Sequence, residues 1–150
     1  MTMTEIATSG AEPGAAASPR KDNTLLGNVL AIGSRLVSEG RIPQDVVEGA
    51  HGAFALCLAT HTGNEVRVFH RGDAIEVGRS PAAASAQWKV DDPWMSRRHF
   101  VFSVDAKGTP ALICIGAKNG TFVNDESVEG SAPLKRGDVI RAGSSSFLVL

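Results

Sequence analysis

The chain has 150 residues, with 15 Lys and Arg against 16 Asp and Glu, and a formal net charge of −1. This balance excludes a protein that coats nucleic acid, because a polyanion calls for a strongly basic domain. No apolar run reaches the roughly 18–20 residues that a membrane-spanning helix needs. The two cysteines, Cys57 and Cys114, are too few and too widely spaced for a disulfide framework or a Cys-x-x-Cys metal site. We therefore expect a cytoplasmic globular protein without nucleic-acid or membrane partners and without a cofactor.

The composition of the chain changes near residue 50. All six Phe, both Trp, all four His and both Cys lie beyond it, so the first fifty residues are expected to contribute little to a large core. Residues 1–22 consist largely of Ala, Gly, Ser, Thr and Pro, which predicts a disordered tail. Residues 23–50 are predicted to form a short helical or linker segment, and residues 51–150 the folded domain.

Apolar residues recur at three- and four-residue steps between Leu25 and Val37, which predicts a helix. Gly40 is placed to end this helix, and Pro43 opens a second short segment, residues 44–49. Two interpretations of the first helix are open. It lies on the domain or serves as a linker, which we favour because short isolated helices depend on packing, or it is a docking or dimerisation helix.

Beyond residue 50, short runs rich in Val, Ile, Phe, Leu and Thr alternate with turn residues about every ten positions. There is no sustained helical period, so this region is predicted to be all-β, an antiparallel sandwich or barrel. The predicted strands are residues 53–60, 65–70, 74–78, 88–90, 99–104, 111–115, 121–123, 139–141 and 146–150.

Three loops between these strands combine cations, hydroxyls and glycines. Binding residues of a sandwich usually lie on the loops at one end, because the strands build the core. Arginine forms bidentate charge-assisted bonds with phosphate, and hydroxyl and backbone N–H groups donate to it. The loops, residues 78–81, 91–99 and 116–121, therefore predict a phosphate site, with a cation cluster of Arg79, Arg97, Arg98 and Lys118.

In this order and spacing, the loops resemble those of the forkhead-associated (FHA) domain. That family carries Gly-Arg at a strand end, then Ser-x-x-His, then Asn-Gly-Thr-x-Val-Asn. The corresponding segments here are Gly78-Arg79, Ser96-Arg97-Arg98-His99 and Asn119-Gly120-Thr121-Phe122-Val123-Asn124. A family pattern of Leu-x-x-Gly-Asp-x-Ile-x-x-Gly follows from Leu134 to Gly143, and the resemblance covers residues 53–150.

The resemblance implies an FHA-like antiparallel β-sandwich of about eleven strands that binds phosphothreonine peptides through loops at one end. By position, Arg79 and Ser96 are expected to hold the phosphate, and Asn119 to hydrogen-bond the peptide main chain beside it. A phosphothreonine carries about −1.5 to −2 charges and three strong acceptor oxygens, which suits a guanidinium and several donors. Structural roles in setting the loops fall to Gly78, His99, Gly120 and Asn124.

This chain departs from the family pattern at three positions. The family often has Ser or Thr just before the Asn-Gly pair, where Ala117 and Lys118 stand here. Either the Lys118 ammonium group contacts the phosphate instead, or it points to solvent, as lysine usually does. Arg97 either contacts the ligand or shields the loop from non-specific partners. Asp125 replaces the usual Gly after Val-Asn, so a different turn type is expected there.

No catalytic or metal site is predicted. Ser96 lacks the Gly-x-Ser-x-Gly elbow of a nucleophile, the histidines share no metal-ligand spacing with Asp or Cys, and His99 is interpreted as structural. We expect a non-enzymatic signalling module that binds a phosphothreonine-containing protein downstream of Ser/Thr kinases. Two alternatives are open: a phosphate-independent protein-interaction scaffold, and the regulatory fragment of a larger transcription activator.

Overall fold

A computed structural model describes residues 23–48, 52–60, 63–80 and 86–150, with side chains from Leu30 onward. The tail predicted over residues 1–22 lies outside these ranges. Two helices, α1 (Asn23–Ser38) and α2 (Gln44–Val47), precede the strands of the described chain. The strands are β1 (Phe54–Thr60), β2 (Gly63–Phe69), β3 (Ala74–Gly78), β4 (Gln87–Lys89), β5 (Phe100–Val104), β6 (Pro110–Cys114), β7 (Thr121–Val123), β8 (Glu126–Ser127), β9 (Ser131–Pro133), β10 (Val139–Ala142) and β11 (Ser145–Val149).

The eleven described strands form two sheets that enclose one core. The six-stranded sheet has the order β2-β1-β11-β10-β7-β8, and the five-stranded sheet has the order β4-β3-β5-β6-β9. Neighbouring strands are antiparallel in both sheets, apart from the parallel pair β3 and β4. The predicted all-β sandwich is confirmed. Among the described strands, the parallel pair β3 and β4 differs from the predicted antiparallel arrangement.

Most strands lie where the sequence predicts them. β3 and β7 match the predicted ranges, and seven others differ by one or two residues at one or both ends. The sequence pattern does not predict β8 and β9, because these are short edge strands made mostly of exposed residues. Without a buried face, such strands carry no apolar alternation that a pattern could detect.

Large aromatic side chains fill the space between the sheets. Trp88, Phe100, Phe102 and Phe147 are fully buried there. The ring of Phe147 meets Trp88 edge-on at 5.5 Å between centroids and Phe100 at 5.3 Å. Aromatic pairs prefer this edge-to-face geometry. The aromatic residues that the sequence concentrates beyond residue 50 therefore supply the largest side chains of this core.

Helix α1 ends at a glycine, as the sequence predicts. Gly40 has a φ of +72°, and its N–H donates to the Val37 carbonyl at 3.1 Å. The N–H of Arg41 donates to the Leu36 carbonyl at 2.9 Å. These two bonds form a Schellman motif, which satisfies the last carbonyls of the helix.

The helical segment packs on the outer face of the six-stranded sheet. Leu36, Ile42 and Val46 are 0%, 3% and 3% exposed, and they share an apolar cluster with Cys57 of β1 and Leu148 of β11. Residues before position 50 thus bury side chains against the domain although none of them is aromatic. No helix in the described part of the chain is long and apolar enough to cross a membrane.

Replacing Leu36 by Ala should lower the free energy of unfolding by about 2–5 kcal/mol, because the substitution leaves a cavity between α1 and the sheet. Urea unfolding monitored by tryptophan fluorescence measures this loss. Val37→Ala alters the adjacent, 38% exposed side chain and should cost less than about 1 kcal/mol. Equal, small effects of the two substitutions would show that α1 does not contribute to the folded domain.

Candidate functional site

The three loops singled out by the sequence meet at one end of the sandwich. The N–H of Arg79 donates to the Ser96 carbonyl at 2.9 Å, and the N–H of Ser80 donates to the Arg97 carbonyl at 3.0 Å. Gly78 makes this approach possible, because a Cβ atom at that position would overlap the Arg97 carbonyl group. The end of β3 is thus joined to the Ser96 loop through backbone atoms.

One short segment, residues 94–96, contacts a group from each of the other two loops. Arg79 Nε donates to the Met95 carbonyl at 3.2 Å, and Asn119 Nδ2 donates to the Trp94 carbonyl at 3.0 Å. The backbone N–H of Lys118 donates to Ser96 Oγ at 2.9 Å. The segment at residues 94–96 therefore brings together Arg79, Ser96 and Asn119, which are far apart in the sequence.

These contacts leave several donors and acceptors available. Arg79 uses only Nε, and no partner for its Nη1 or Nη2 lies within the described residues. Ser96 Oγ accepts from Lys118, so its own hydroxyl proton can be donated elsewhere. Asn119 donates through Nδ2, which leaves its Oδ1 as an acceptor. The loop end therefore presents a cation, a hydroxyl donor and an amide acceptor together.

Arg97 and Lys118 have exposed side chains beside this group. Neither side chain forms a hydrogen bond or ion pair with another residue of the described chain. Their charged ends are thus free to reach a ligand at the loops. The backbone of each residue is already engaged: Arg97 through its carbonyl with Ser80, and Lys118 through its N–H with Ser96.

Arg98 does not join the cation cluster, and its inclusion there was wrong. Its Nε donates to Glu76 Oε2 at 3.0 Å and its Nη2 to Glu76 Oε1 at 2.8 Å. The Glu76 side chain is 3% exposed, so its carboxylate needs this bidentate partner. Hydrogen bonds and charge from Glu76 raise the pKa of Arg98. Arg98 therefore neutralises a buried acid of β3.

His99 connects two of the loops from inside the protein. Its Nδ1 accepts the Ser96 N–H at 3.0 Å, and its Nε2 lies 3.0 Å from the Gly120 carbonyl. These partners require a neutral ring with its proton on Nε2. The ring is fully buried, and burial lowers the pKa of His99 although the Gly120 carbonyl and the Asp92 charge act in the opposite direction.

Asn124 holds the turn that follows the third loop. Asn124 and Asp125 have φ values of +51° and +69°, and they link β7 to β8 as a two-residue type I′ turn. Asn124 Nδ2 donates to Asp138 Oδ1 at 3.0 Å, and Asn124 Oδ1 accepts the Val139 N–H at 3.0 Å. The turn is thereby fixed to the start of β10. Gly120, at φ +82°, occupies the backbone conformation that glycine favours just before β7.

Asp92 supports the site but was missed by the sequence reasoning. Its carboxylate is buried and accepts hydrogen bonds from the Trp94 N–H at 2.9 Å, from both the N–H and Oγ of Ser144, and from Ser145 Oγ at 2.6 Å. It thus fastens the start of the 94–96 segment to the β10–β11 turn. The Asp92-Pro93 dipeptide, typical of turn initiation, is the local signal for such a role.

The described residues offer little for metal or nucleophilic chemistry. They contain no group of three or more His, Cys, Asp or Glu side chains placed to hold a metal ion. Burial raises the pKa of the Cys57 thiol to about 11, which keeps it in the unreactive protonated form. At the loop end, the unused guanidinium nitrogens of Arg79 and the Ser96 hydroxyl proton suit the binding of an anion by hydrogen bonds and charge.

The buried neutral His99 predicts a loss of stability in acid. Because its folded pKa lies below the unfolded value of 6.5, the unfolded state binds the extra proton first. The contribution of His99 is full above pH 6.5 and is lost as the pH falls from 6.5 towards the folded pKa, at up to about 1.4 kcal/mol per pH unit.

Urea unfolding at a series of pH values measures this dependence. His99→Gln should be less stable than the wild type at neutral pH and should show a flatter profile below 6.5. Parallel profiles for the wild type and His99→Gln would contradict a buried neutral ring.

Known structures share this fold. The family model for the FHA domain matches residues 75–143. One solved structure, described as a structural and functional analysis of phosphothreonine-dependent FHA domain interactions, is 31% identical with a TM-score of 0.54, over 65% of this chain and 94% of that chain. The FhaA FHA domain complexed with the intracellular domain of Rv3910 is also 31% identical, with a TM-score of 0.54, over 65% and 99%.

A more distant structure agrees in fold. The FHA domain of the CT664 protein from Chlamydia trachomatis is 22% identical, with a TM-score of 0.58, over 65% of this chain and 96% of that chain. A comparison with curated proteins found no match. The first two structures are matched over nearly their full length at 31% identity, on the same fold and with the loop motifs in place. The chain therefore belongs to the FHA domain family.

Proposed function

We propose that this protein is a phosphothreonine-binding signalling module that acts downstream of Ser/Thr kinases and has no catalytic role of its own. One observation carries the proposal: Arg79, Ser96 and Asn119 are all tied to residues 94–96 and present unused polar groups at the same end of the sandwich. FHA domains are interaction modules, and one 31% identical relative is described by its phosphothreonine-dependent interactions.

The phosphate would be held by Arg79 and Ser96. The Arg79 bond to the Met95 carbonyl orients the guanidinium and leaves its two terminal nitrogens for phosphate oxygens. The Lys118 N–H fixes the lone-pair side of Ser96 Oγ, so the hydroxyl proton is available to a phosphate oxygen. A dianionic group is favoured at such a place, because both donors are oriented before the ligand arrives.

Asn119 would bind the peptide main chain beside the phosphothreonine. Its Nδ2 bond to the Trp94 carbonyl fixes the amide, so Oδ1 can accept a peptide N–H. Lys118 and Arg97, whose charged ends are exposed next to the site, would add positive charge around the ligand. The Lys118 ammonium group would then take the place of the hydroxyl that the family often carries near the Asn-Gly pair.

A phosphate-independent contact is a second candidate function, and one feature favours it. Ile113 and Ile115, on and just after β6, are 43% and 37% exposed. Ile113 is paired in register with Val101 of β5, so the Ile113 and Val101 side chains are neighbours on the outer face of the five-stranded sheet. Exposed β-branched residues on a sheet face are a feature of protein-interaction surfaces.

Replacing Arg79 by Ala should weaken binding of a phosphothreonine peptide by about 2–5 kcal/mol, or roughly 30-fold to several thousandfold, because the phosphate loses its oriented guanidinium. The probe is a peptide selected from a degenerate phosphothreonine library, and isothermal titration calorimetry gives its affinity. Phosphoserine and unphosphorylated versions of the peptide should bind more weakly.

Arg35→Ala is the control for this substitution. It removes an exposed arginine of α1, outside the three loops, whose ion pair with Glu39 is also exposed, so peptide affinity should change less than about twofold. Equal affinity for the three peptides, or equal losses in the Arg79 and Arg35 variants, would overturn the proposed function.

Lys118→Ala should weaken binding of the same phosphopeptide by no more than about fivefold, because the ammonium group is exposed and screened by solvent. The loss should shrink at high salt, where surface charges are screened further. Titrations at low and high salt measure both effects. If Lys118→Ala leaves the affinity unchanged at low salt, the Lys118 side chain points to solvent and does not contact the phosphate. This outcome would not affect the hydrogen bond from the Lys118 backbone N–H to Ser96 Oγ.

A further inference from the structure

Strand β2 is the longest of the described strands that lie at an edge of either sheet. It has seven residues, whereas the other edge strands, β4, β8 and β9, have only two or three. Natural proteins protect sheet edges with short strands, prolines, lysines or bulges. β2 contains no Pro or Lys, and all seven residues pair one to one with β1, so it has no bulge. The outer edge of β2 is therefore open to another strand.

The pairing of β1 shows which backbone groups β2 directs outward. Ala55 and Leu150 exchange two backbone hydrogen bonds, at 3.1 and 2.9 Å, so the N–H and C=O of Ala55 point away from β2. Hydrogen-bonded and non-hydrogen-bonded pairs alternate along an antiparallel ladder. Val68 is opposite Ala55 and therefore directs its N–H and C=O to the outer edge, as do Val66 and Asn64. Within the described residues, these outward groups have no hydrogen-bond partner.

Two opposite charges lie on the other side of β2, at the rim of the sandwich. Trp88 Nε1 donates to Glu65 Oε1 at 3.0 Å, which orients the carboxylate. The Arg67 guanidinium lies 4.8 Å from the centroid of the Trp88 ring, and its Nη1 donates to the Gln87 carbonyl at 3.4 Å. The Arg67 and Glu65 side chains are nevertheless 39% and 54% exposed. Both charges are thus oriented and accessible beside the open edge.

We propose that β2 is a self-association surface, to which a second copy of this chain adds its own β2 in antiparallel orientation, with the two-fold axis at Val66. In this register Val66 is opposite Val66 of the second copy, and Asn64 is opposite Val68. These are the residues with outward backbone groups, so each pair exchanges two hydrogen bonds. Between them, Glu65 of each copy is opposite Arg67 of the other.

The charges of β2 favour this register over its neighbours. The two adjacent registers with the same backbone hydrogen-bonding pattern place Glu65 opposite Glu65, or Arg67 opposite Arg67. Opposite charges across a strand pair stabilise it and like charges destabilise it. The Glu65–Arg67 contacts also form non-hydrogen-bonded pairs, in which side chains approach most closely. The sequence of β2 therefore specifies one way for the strand to pair with itself.

Apolar packing on the outer face of the sheet adds to this pairing. Val66 and Val68 are only partly buried, and they pack against the apolar cluster beneath α1. Pairing would bring Val66 of the two copies together and cover part of their exposed surface. Interfaces below about 1,200 Å² are typical of weak complexes. Because the contact is confined to one strand from each copy, we expect a reversible dimer.

Sedimentation equilibrium of the full chain measures this association, from about 10 μM to about 1 mM, the range that detects weak complexes. The weight-average mass of the wild type should rise with concentration. Glu65→Arg and Arg67→Glu each place like charges opposite one another twice, so each should raise the dissociation constant at least about fivefold. Glu126→Arg makes the same charge change on β8, at the opposite edge of the sheet, and should alter it less than about twofold.

Mixing Glu65→Arg with Arg67→Glu gives a result that misfolding cannot imitate. In a dimer of one variant with the other, both contacts between positions 65 and 67 again join opposite charges. The mixture should therefore associate at least about fivefold more tightly than either variant alone. This recovery would also establish the register, because the adjacent registers do not bring position 65 opposite position 67.

Hydrogen exchange locates the pairing on the outer edge of β2. The Val66 amide points to that edge and should exchange more slowly as the protein concentration rises. The Arg67 amide, one residue along, points to β1 and should show no such dependence. Equal concentration dependence of the two amides would contradict pairing at the edge.

Other outcomes also overturn the proposal. A chain that stays monomeric at about 1 mM would show that the edge does not accept a second copy. Association that is as strong in Glu65→Arg as in the wild type would place the contact elsewhere, and a mixture that gains nothing would exclude this register. Arg79→Ala should self-associate like the wild type, so the result is independent of phosphothreonine binding, which the peptide titration decides.

Discussion

The loop end of this domain depends on one buried imidazole. His99 accepts the Ser96 N–H through Nδ1 and contacts the Gly120 carbonyl through Nε2, so it joins from inside the protein the two loops that the Lys118–Ser96 and Asn119–Trp94 bonds join nearer the surface. Both bonds exist only for a neutral ring in one tautomer, and burial enforces that state. The positions of Ser96 and Asn119 relative to each other therefore depend on this buried ring together with the Lys118–Ser96 and Asn119–Trp94 bonds.

Around that ring, the protein positions its binding groups mainly through backbone. Gly78 lets β3 reach the Arg97 carbonyl, and Asp92 fastens the chain entering residues 94–96. That segment in turn offers the carbonyls that Arg79 and Asn119 contact. Because carbonyl acceptors hold these side chains, their remaining donors and acceptors are not consumed by other side chains. This arrangement gives orientation before binding, which reduces the entropy cost of binding a ligand.

The sequence predicts those parts that a local pattern encodes. Strands with a buried face, such as β5, carry large apolar residues at every second position and are located within one or two positions, whereas the exposed strand β8 has no such pattern. The loop motifs likewise identify Arg79, Ser96 and Asn119. The Asp92-Pro93 dipeptide signals a turn, but the bonds of Asp92 to Ser144 and Ser145 could not be predicted, because these partners lie about fifty positions away in sequence and meet it only in the fold. The helix contact through Leu36 is of the same long-range kind.

Three arginines show why charge counts alone are a poor guide to binding. Arg98, in the same motif as Ser96, has a bidentate partner in Glu76, whose buried carboxylate neutralises its charge. Arg79 has one bond to a carbonyl and two unused nitrogens at the surface. Arg141, on β10, packs against the Phe122 ring, and its two donors without an acceptor in the described chain are buried out of reach of an anion. A net charge of −1 is compatible with all three states, because an anion is bound by accessible, unsatisfied donors in a particular place, and the fold decides which guanidinium has them.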